Sequence, residues 1–318
     1  MAAIGADTLT TLVRHHIVPQ ITDNVYTKNN ALLYRLMRAN KRMVQGGTQI
    51  EVPLMYRKST GGGTFRGYDV LNHQPQDTVK AAYLDWKQYW TGLAIDELTL
   101  IKADSPLAIA NILSVQGQQM YMDMGELLAT GIFSSGTDPK AIDGLGTILS
   151  TSNTYGGISR SANSWWQATI DATTTTLTLA KMRGLLSSAT FGATHPTIWF
   201  GSGTNYNRLY ALGLSTTGYT VSQNREPGGH DEVLMQAGFT NLLFENIPFV
   251  RDDNADDTDI FALNEDFLNL VVSPRGDFYL DEFQKPHNQQ AYVSTLTWAG
   301  NLICMNSRAQ AALTAITA

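Results

Sequence analysis

The residues of this 318-residue chain that could carry out chemistry do not have the spacing of a known catalytic motif. The sequence contains no GxSxG nucleophile elbow, no GxxxxGK[ST] phosphate loop, no GxGxxG fingerprint and no HExxH zinc motif. The glycine triplet Gly61 to Gly63 is not followed by a lysine and a helix, so it does not have the form of a phosphate cradle. The sequence therefore predicts no catalytic residue, and we expect that the protein is not an enzyme.

Histidine and cysteine give no metal or cofactor site. His15 and His16 are adjacent instead of four residues apart, so they do not share a helix face for a metal. The single cysteine, Cys304, excludes an internal disulfide framework and a cysteine-based zinc site. Cys304 lies in an apolar run, which predicts a small buried side chain. We expect no cofactor.

An aspartate cluster between residues 252 and 259 is the best candidate for cation binding. Calcium takes several carboxylate and carbonyl oxygens, but the spacing lacks the glycine and glutamate of an EF-hand loop. A solvated acidic turn is the favoured interpretation, and cation binding stays open. The aspartates of the cluster are Asp252, Asp253, Asp256, Asp257 and Asp259.

The charge distribution favours contacts between copies of the chain. Charged residues make up 16% of the sequence, against roughly 25% in an average soluble domain, and charge is depleted at the centres of interfaces. Residues 1–66 carry nine Lys or Arg and three Asp or Glu, whereas 226–266 carry eleven acids and one base. These segments could attract each other between copies, or both could be ordinary solvated surfaces. The basic segment is too sparse for a nucleic-acid patch.

The first 96 residues are predicted to form an arm followed by extended β structure. Leu9, Leu12, Val13 and Ile17 have near-helical spacing, and a second helix is predicted over Ala31 to Val44, ending at Gly46 and Gly47. Residues 46–96 then predict a long two-stranded arm with a flexible tip at 59–63, whose second strand runs from Thr78 to Asp96. An arm of this length cannot bury itself within one small domain, so we expect it to lie on a neighbouring copy.

The rest of the chain predicts an α+β fold. A long helix over 104–131 begins with Ser105 as N-cap and Pro106 at the first helical position, and Gly131 is expected to end it. Gly117 and Gly125 could mark close packing or a bend. At least one of Trp165 and Trp166 is expected to be buried. Further helices are predicted at 179–189 and 204–212, and strands at 197–200, 241–245, 248–251, 260–263, 268–273 and 291–305.

The order of these elements resembles the Hong Kong 97-type fold of tailed-bacteriophage major capsid proteins. Residues 120–131 are similar to the end of the family's spine helix, which runs into a turn like that from Gly136 to Leu145. Residues 155–160, followed by Trp165 and Trp166, resemble a stretch found in some phage capsid proteins. Residues 297–308 resemble the family's closing strand.

The resemblance implies roles for whole regions. Residues 1–45 would be an N-terminal arm and 46–96 the extended loop. The peripheral domain would comprise 97–150 and 281–318, with its spine helix near 104–131. Residues 151–280 would form the axial domain, with a tip near 215–229. In such a shell, inter-subunit contacts would involve Arg35, Arg38, Lys41, Arg42, Lys58, Gly61, Gly62, Gly63, Phe65, Arg66, Trp86, Trp90, Glu226, Asp252, Asp253, Asp256 and Asp257.

The resemblance also implies function and partners. It implies a subunit that self-assembles as hexamers and pentamers into an icosahedral shell around phage double-stranded DNA, in the host bacterial cytoplasm. A separate scaffolding protein, a portal and a decoration protein would be partners. Lys58 is of the right type for the cross-link of one family branch, but without an identifiable partner no bond is predicted. An encapsulin-type compartment is the alternative with the same fold, and a monomeric α+β enzyme or binding protein is the alternative from another class.

Overall fold

The computed structural model describes residues 28–71, 75–102, 106–215 and 241–317. Within these ranges the chain forms six α-helices, which we number in chain order. They are α1 (Ala31–Ala39), α2 (Glu97–Lys102), α3 (Pro106–Ile132), α4 (Leu145–Ile148), α5 (Leu179–Ala189) and α6 (Gly203–Ser215). Helix α3 confirms the predicted spine helix, and α5 and α6 confirm the two later helices.

The same ranges contain short strands and a few long ones, so the predicted α+β class is confirmed. In chain order they are β1 (Lys41–Met43), β2 (Gln49–Met55), β3 (Val79–Asp85), β4 (Lys87–Asp96), β5 (Thr154–Tyr155), β6 (Ile158–Ser159), β7 (Thr169–Asp171), β8 (Thr175–Thr176), β9 (Ile198–Gly201), β10 (Asn241–Phe244), β11 (Ile247–Arg251), β12 (Ile260–Leu263), β13 (Leu268–Val272), β14 (Tyr279–Leu280), β15 (Ala291–Cys304), β16 (Ala311–Leu313) and β17 (Ile316–Thr317).

Strand β15 organises the first sheet. Its residues 291–300 pair antiparallel with β4, and its residues 300–304 pair antiparallel with β13. Gly300 is opposite both Lys87 and Val272, so β4 and β13 lie on opposite edges of β15. The short strand β14 also pairs with β15, and β1 pairs parallel with β13. Side chains that alternate along β15 place Leu296 and Trp298 in the core, against helix α3.

The extended arm is a hairpin of β2 and β3, paired from Gln49 with Asp85 to Met55 with Val79. Burial alternates along β2, so that Ile50, Val52 and Leu54 face the core. The prediction of one strand from Thr78 to Asp96 is wrong, because the ladder breaks at Trp86. The first half pairs within the hairpin and the second half pairs with β15. Within the predicted arm, residues 65–71 form no strand and belong to the connection between β2 and β3.

Helix α3 carries a stripe of buried side chains that includes Met120, Met124, Leu128 and Ile132. It continues one residue past Gly131. A Cβ at Gly131 would lie 2.6 Å from the Tyr89 hydroxyl and 3.2 Å from Cγ1 of Ile142, so a larger residue there would displace both side chains. At Gly117 and Gly125 a Cβ would meet no described atom within 4 Å, so neither marks close packing.

A second sheet has the order β10-β11-β9-β12-β16-β7, and helices α5 and α6 pack on it. Its strands β9 and β12 are buried along their whole length. A separate hydrophobic cluster, formed by side chains of this sheet and of helix α5, includes Trp199, Phe249 and Leu185.

The predicted helix over Ala31 to Val44 ends early. Helix α1 ends at Ala39, and Lys41 to Met43 form β1 beside β13. Asn40 donates its backbone N–H to Leu36 O and its side-chain amide to Glu265 O, so the chain turns there. The described part of the predicted arm therefore belongs to the core of the subunit.

Candidate assembly surfaces

The loop that joins β2 to β3 exposes a set of apolar side chains. Val70 is 95% exposed, Tyr68 is fully exposed, and Phe65 and Leu71 are more than half exposed. The loop is held at its neck, where Thr60 and Gln76 exchange two hydrogen bonds of 2.7 and 2.9 Å. We call residues 56–78 the hairpin loop. Soluble proteins rarely leave so many apolar side chains together in water unless the surface binds something.

The other residues predicted on the hairpin loop lie at its surface. Gly62 and Gly63 are exposed, and a Cβ on either would touch no described atom. Lys58 and Arg66 are also exposed. The Arg66 backbone N–H donates to the Asp69 carboxylate at 2.7 Å, which closes a turn just before Val70. The loop therefore exposes cationic as well as apolar side chains.

The two tryptophans predicted at contacts differ in their placement. Trp86 packs against the subunit's own core, and its Nε1 donates to Gly47 O at 3.1 Å. Trp90 is 70% exposed on the outer face of the first sheet. The registers place Trp90 opposite Thr297, and Thr297 opposite the exposed Tyr279, so these three side chains form one row.

The four basic residues between 35 and 42 that are predicted to contact a neighbour are divided between the core and the surface. Arg35 is 2% exposed and forms a buried ion pair with Glu265, so the prediction that it contacts another copy does not fit its burial. Lys41 pairs with Asp277 at 2.6 Å within the subunit. Arg38 and Arg42 are exposed, and their role between copies stays a prediction.

Two aspartates of the cluster, Asp252 and Asp253, hold the start of α1, which corrects the interpretation as a solvated turn for this part of the cluster. Asp252 is fully buried and accepts hydrogen bonds from the backbone N–H groups of Leu32 and Asn254, both at 3.0 Å. Burial raises the pKa of the Asp252 carboxyl, although these hydrogen bonds oppose the rise. Asp253 accepts from the Asn29 N–H at 3.0 Å and from Arg251 at 2.6 Å. We call residues 252–254 the clasp.

The remaining acids of this region do not form a metal site in the part of the chain that the structure describes. Asp256 and Asp257 are exposed. Hydrogen bonds from Ser202 and Thr204 lower the pKa of the Asp257 carboxyl. Glu226, also predicted at a contact, lies outside the described residues, as does the predicted tip near 215–229 apart from Ser215.

Arg160 forms a buried cluster that the sequence did not reveal. Its guanidinium donates to Thr147 O, Ser150 O and Ser307 Oγ at 3.0–3.1 Å. It also lies 5.0 Å from the Tyr155 ring and 5.9 Å from the ring of Trp166, the tryptophan that is buried as predicted. These contacts join the segment after α3 to the end of β15. Their only sequence signal was the Tyr155–Arg160 stretch.

Cys304 is the one thiol of the chain, and it is buried, as predicted. Burial raises the pKa of the Cys304 thiol from 9.0 to about 11, so it stays protonated at neutral pH. A protonated, buried thiol is a poor nucleophile. The thiol is therefore a part of the core.

The raised pKa of Cys304 predicts a loss of stability in alkali. The folded chain retains the proton between pH 9 and about 11, where the unfolded chain has lost it. This stabilisation is complete below pH 9 and falls as the pH rises, by about 3 kcal/mol in total at roughly 1.4 kcal/mol per pKa unit. Urea denaturation should show that the free energy of unfolding falls more steeply with pH in the unmodified chain than in Cys304→Ala. Parallel profiles for the two chains would contradict the assignment.

The fold is shared with capsid and encapsulin proteins of known structure. The capsid subunit of cyanophage A-1(L) superposes with a TM-score of 0.75 at 18% identity, over 97% of this chain and 98% of that chain. The capsid of a native GTA particle gives 0.63 at 11% identity, over 95% and 96%. The SrpI encapsulin of Synechococcus elongatus PCC 7942 gives 0.61 at 11% identity, over 99% and 96%.

These similarities cover nearly the whole chain, so this chain shares the α+β fold of these capsid and encapsulin proteins. It is the Hong Kong 97-like fold, which confirms the fold predicted from the order of the elements. No family model matches the chain, and no curated protein matches it significantly. None of the helices in the described ranges is long and apolar enough to cross a membrane.

Proposed function

We propose that the chain is the major capsid protein of a tailed bacteriophage, the repeated structural subunit of an icosahedral shell around double-stranded DNA. The observation that carries the proposal is the hairpin loop. It projects apolar and basic side chains that no other described part of the subunit covers. In a shell, these side chains would be buried against a neighbouring copy. The similarity to the cyanophage A-1(L) capsid over 97% of the chain supports the same function.

The proposed partners follow from this function. Copies of the chain would associate as hexamers and pentamers, with contacts from the hairpin loop, from Arg38 and Arg42, and from the exposed aspartates Asp256 and Asp257. Each contact is weak, but many contacts per subunit sum to a stable shell. A scaffolding protein, a portal and a decoration protein would complete the particle. Packaged DNA would touch the inner face without sequence specificity, and assembly would take place in the bacterial cytoplasm.

An encapsulin-type compartment is a second candidate, supported by the similarity to SrpI over 99% of the chain. The two functions differ in what the shell contains. Nuclease-protected DNA inside the particle supports the capsid, whereas a co-purified protein cargo and no DNA supports the compartment.

Electron microscopy and size-exclusion chromatography test whether the chain forms a shell at all. The chain would be expressed alone and together with the genes that neighbour its own. We expect closed icosahedral shells, or curved assemblies of hexamers and pentamers, in at least one preparation. A monodisperse monomer of 34.9 kDa in both preparations would overturn the proposal.

Replacing Gly61, Gly62 and Gly63 with proline should give folded subunits that assemble poorly. Proline fixes φ near −65° and restricts the preceding residue, so the hairpin loop would lose the freedom to follow a neighbour's surface. The triple alanine variant is the matched control, because a Cβ at these positions meets no described atom closer than 3.6 Å. Particle yield, counted by negative-stain microscopy, should fall only in the proline variant. Normal shells from that variant would refute the extended-arm model.

A further inference from the structure

A groove of about 650 Å³ lies between helix α3 and strand β4, and nothing in the described residues fills it. Its floor and walls include Tyr89, Leu127 and Thr130, and two acids, Asp123 and Glu126, lie along it. No basic side chain is among the described residues that line it. Leu127 is 45% exposed, because it faces this groove and lies outside the buried stripe of α3. The groove is therefore both apolar and acidic.

The first described residues of the chain lie at the edge of this groove. Lys28, the first described residue, places its Nζ 3.4 Å from Oε1 of Glu126. The next residues are fixed by the clasp, where the Asn29 N–H donates to Asp253 and the Asn254 amide donates to Asn30 Oδ1 at 2.7 Å. Asn254 is also 3.5 Å from the Thr130 hydroxyl, which lines the groove. The position at which residues 1–27 join the body is thus set beside the groove.

The sequence before Lys28 has side chains whose chemistry suits the groove. Leu9, Leu12, Val13 and Ile17 follow one another at near-helical spacing and can supply an apolar face. Arg14 lies between them, followed by His15 and His16. An apolar face with adjacent cations complements a groove that presents Leu127 beside carboxylates.

We propose that this groove is the docking site of residues 1–27 of the same chain. The eleven residues from Ile17 to Lys28 can span up to about 36 Å when extended, at roughly 3.3 Å per residue. Ile17 can therefore reach Leu127, one residue beyond Glu126. The clasp favours this docking, because it fixes the C-terminal end of the segment beside the groove and so raises the effective concentration of the segment there. This inference concerns the isolated subunit and does not depend on the shell function.

Disulfide trapping tests the proposal in the full-length chain. The variant Ile17→Cys with Leu127→Cys would be oxidised as an unassembled subunit, and the products separated on non-reducing gels. The matched control is Ile17→Cys with Arg183→Cys, because Arg183 is exposed on α5, away from the groove. Cys304 is buried and can stay in both variants. We expect a fast-migrating monomer, cross-linked within one chain, in at least tenfold excess over the control pair.

Two results would overturn the proposal. One is a yield no greater than that of the control pair. The other is cross-linking between chains when Ile17→Cys and Leu127→Cys subunits are mixed, because the occupant would then be a second copy. An independent measurement is the rate at which Leu127→Cys alone reacts with a maleimide. It should be at least tenfold lower than for Arg183→Cys, and equal rates would also refute the docking.

Discussion

Replacing Tyr68 and Val70 with serine is expected to lower shell assembly about 100-fold while leaving the subunit folded. Both side chains are almost fully exposed in the subunit, so their removal costs little in the isolated chain. Full burial of an apolar side chain against a neighbour contributes about 1.5–3 kcal/mol. Each 1.4 kcal/mol corresponds to about tenfold in an association constant, and the loss recurs at every subunit of the shell.

The control for this variant keeps the apolar surface at the same two positions. Tyr68→Phe with Val70→Ile should assemble at the normal concentration. The readouts are the subunit concentration at which particles appear in light scattering, and the thermal midpoint of the unassembled subunit. If the serine variant assembles at the normal concentration, the hairpin loop is not an assembly contact.

Arg35→Met is expected to lower the free energy of unfolding by about 3–5 kcal/mol, because it leaves the Glu265 carboxylate buried without its cation. The double variant with Glu265→Leu should recover most of this loss, since a buried ion pair and apolar side chains of similar volume are often equally stable. Urea denaturation of the unassembled subunit measures both changes.

An exposed ion pair provides the comparison for the Arg35 variant. Lys285 and Glu97 are 2.8 Å apart, but both side chains are more than a third exposed. Breaking this pair with Lys285→Met should cost far less than Arg35→Met, because solvent screens an exposed ion pair. If Arg35→Met costs no more than Lys285→Met, the buried pair does not hold α1 to the body.

The elements that could be predicted from the sequence are those determined by local patterns. The spine helix has its apolar period and Pro106 at its start, and α5, α6, β12 and β15 have compact apolar runs between turn residues. The two errors of the first 96 residues have distant causes. Helix α1 ends before β1 because residues 41–43 pair in parallel with β13, which lies more than 200 residues later in the sequence. The strand from Thr78 to Asp96 is divided at Trp86 because its second half pairs with β15.

Among the candidate contact residues, too, only those whose environment depends on local sequence could be predicted. The exposure of the glycine tip and of Phe65 could be predicted, because the hairpin loop has no apolar period that would bury it. The placement of Arg35 and Asp252 could not, because their partners, Glu265 and the N–H of Leu32, are more than 200 residues away in sequence. The type of a charged residue does not indicate whether its side chain is exposed to solvent or paired with a buried partner.

The division of the arm at Trp86 has a mechanical consequence. Tension applied to the hairpin passes from β3 directly into β4, along the axis of the strand. Strand β4 is joined to β15 over ten residue pairs, from Lys87 with Gly300 to Asp96 with Ala291. A pull along the strand axis loads these hydrogen bonds in shear, so that many must break together instead of opening one after another like a zipper. Strand β15 is held on its other edge by β13, so the load would be shared by the whole first sheet.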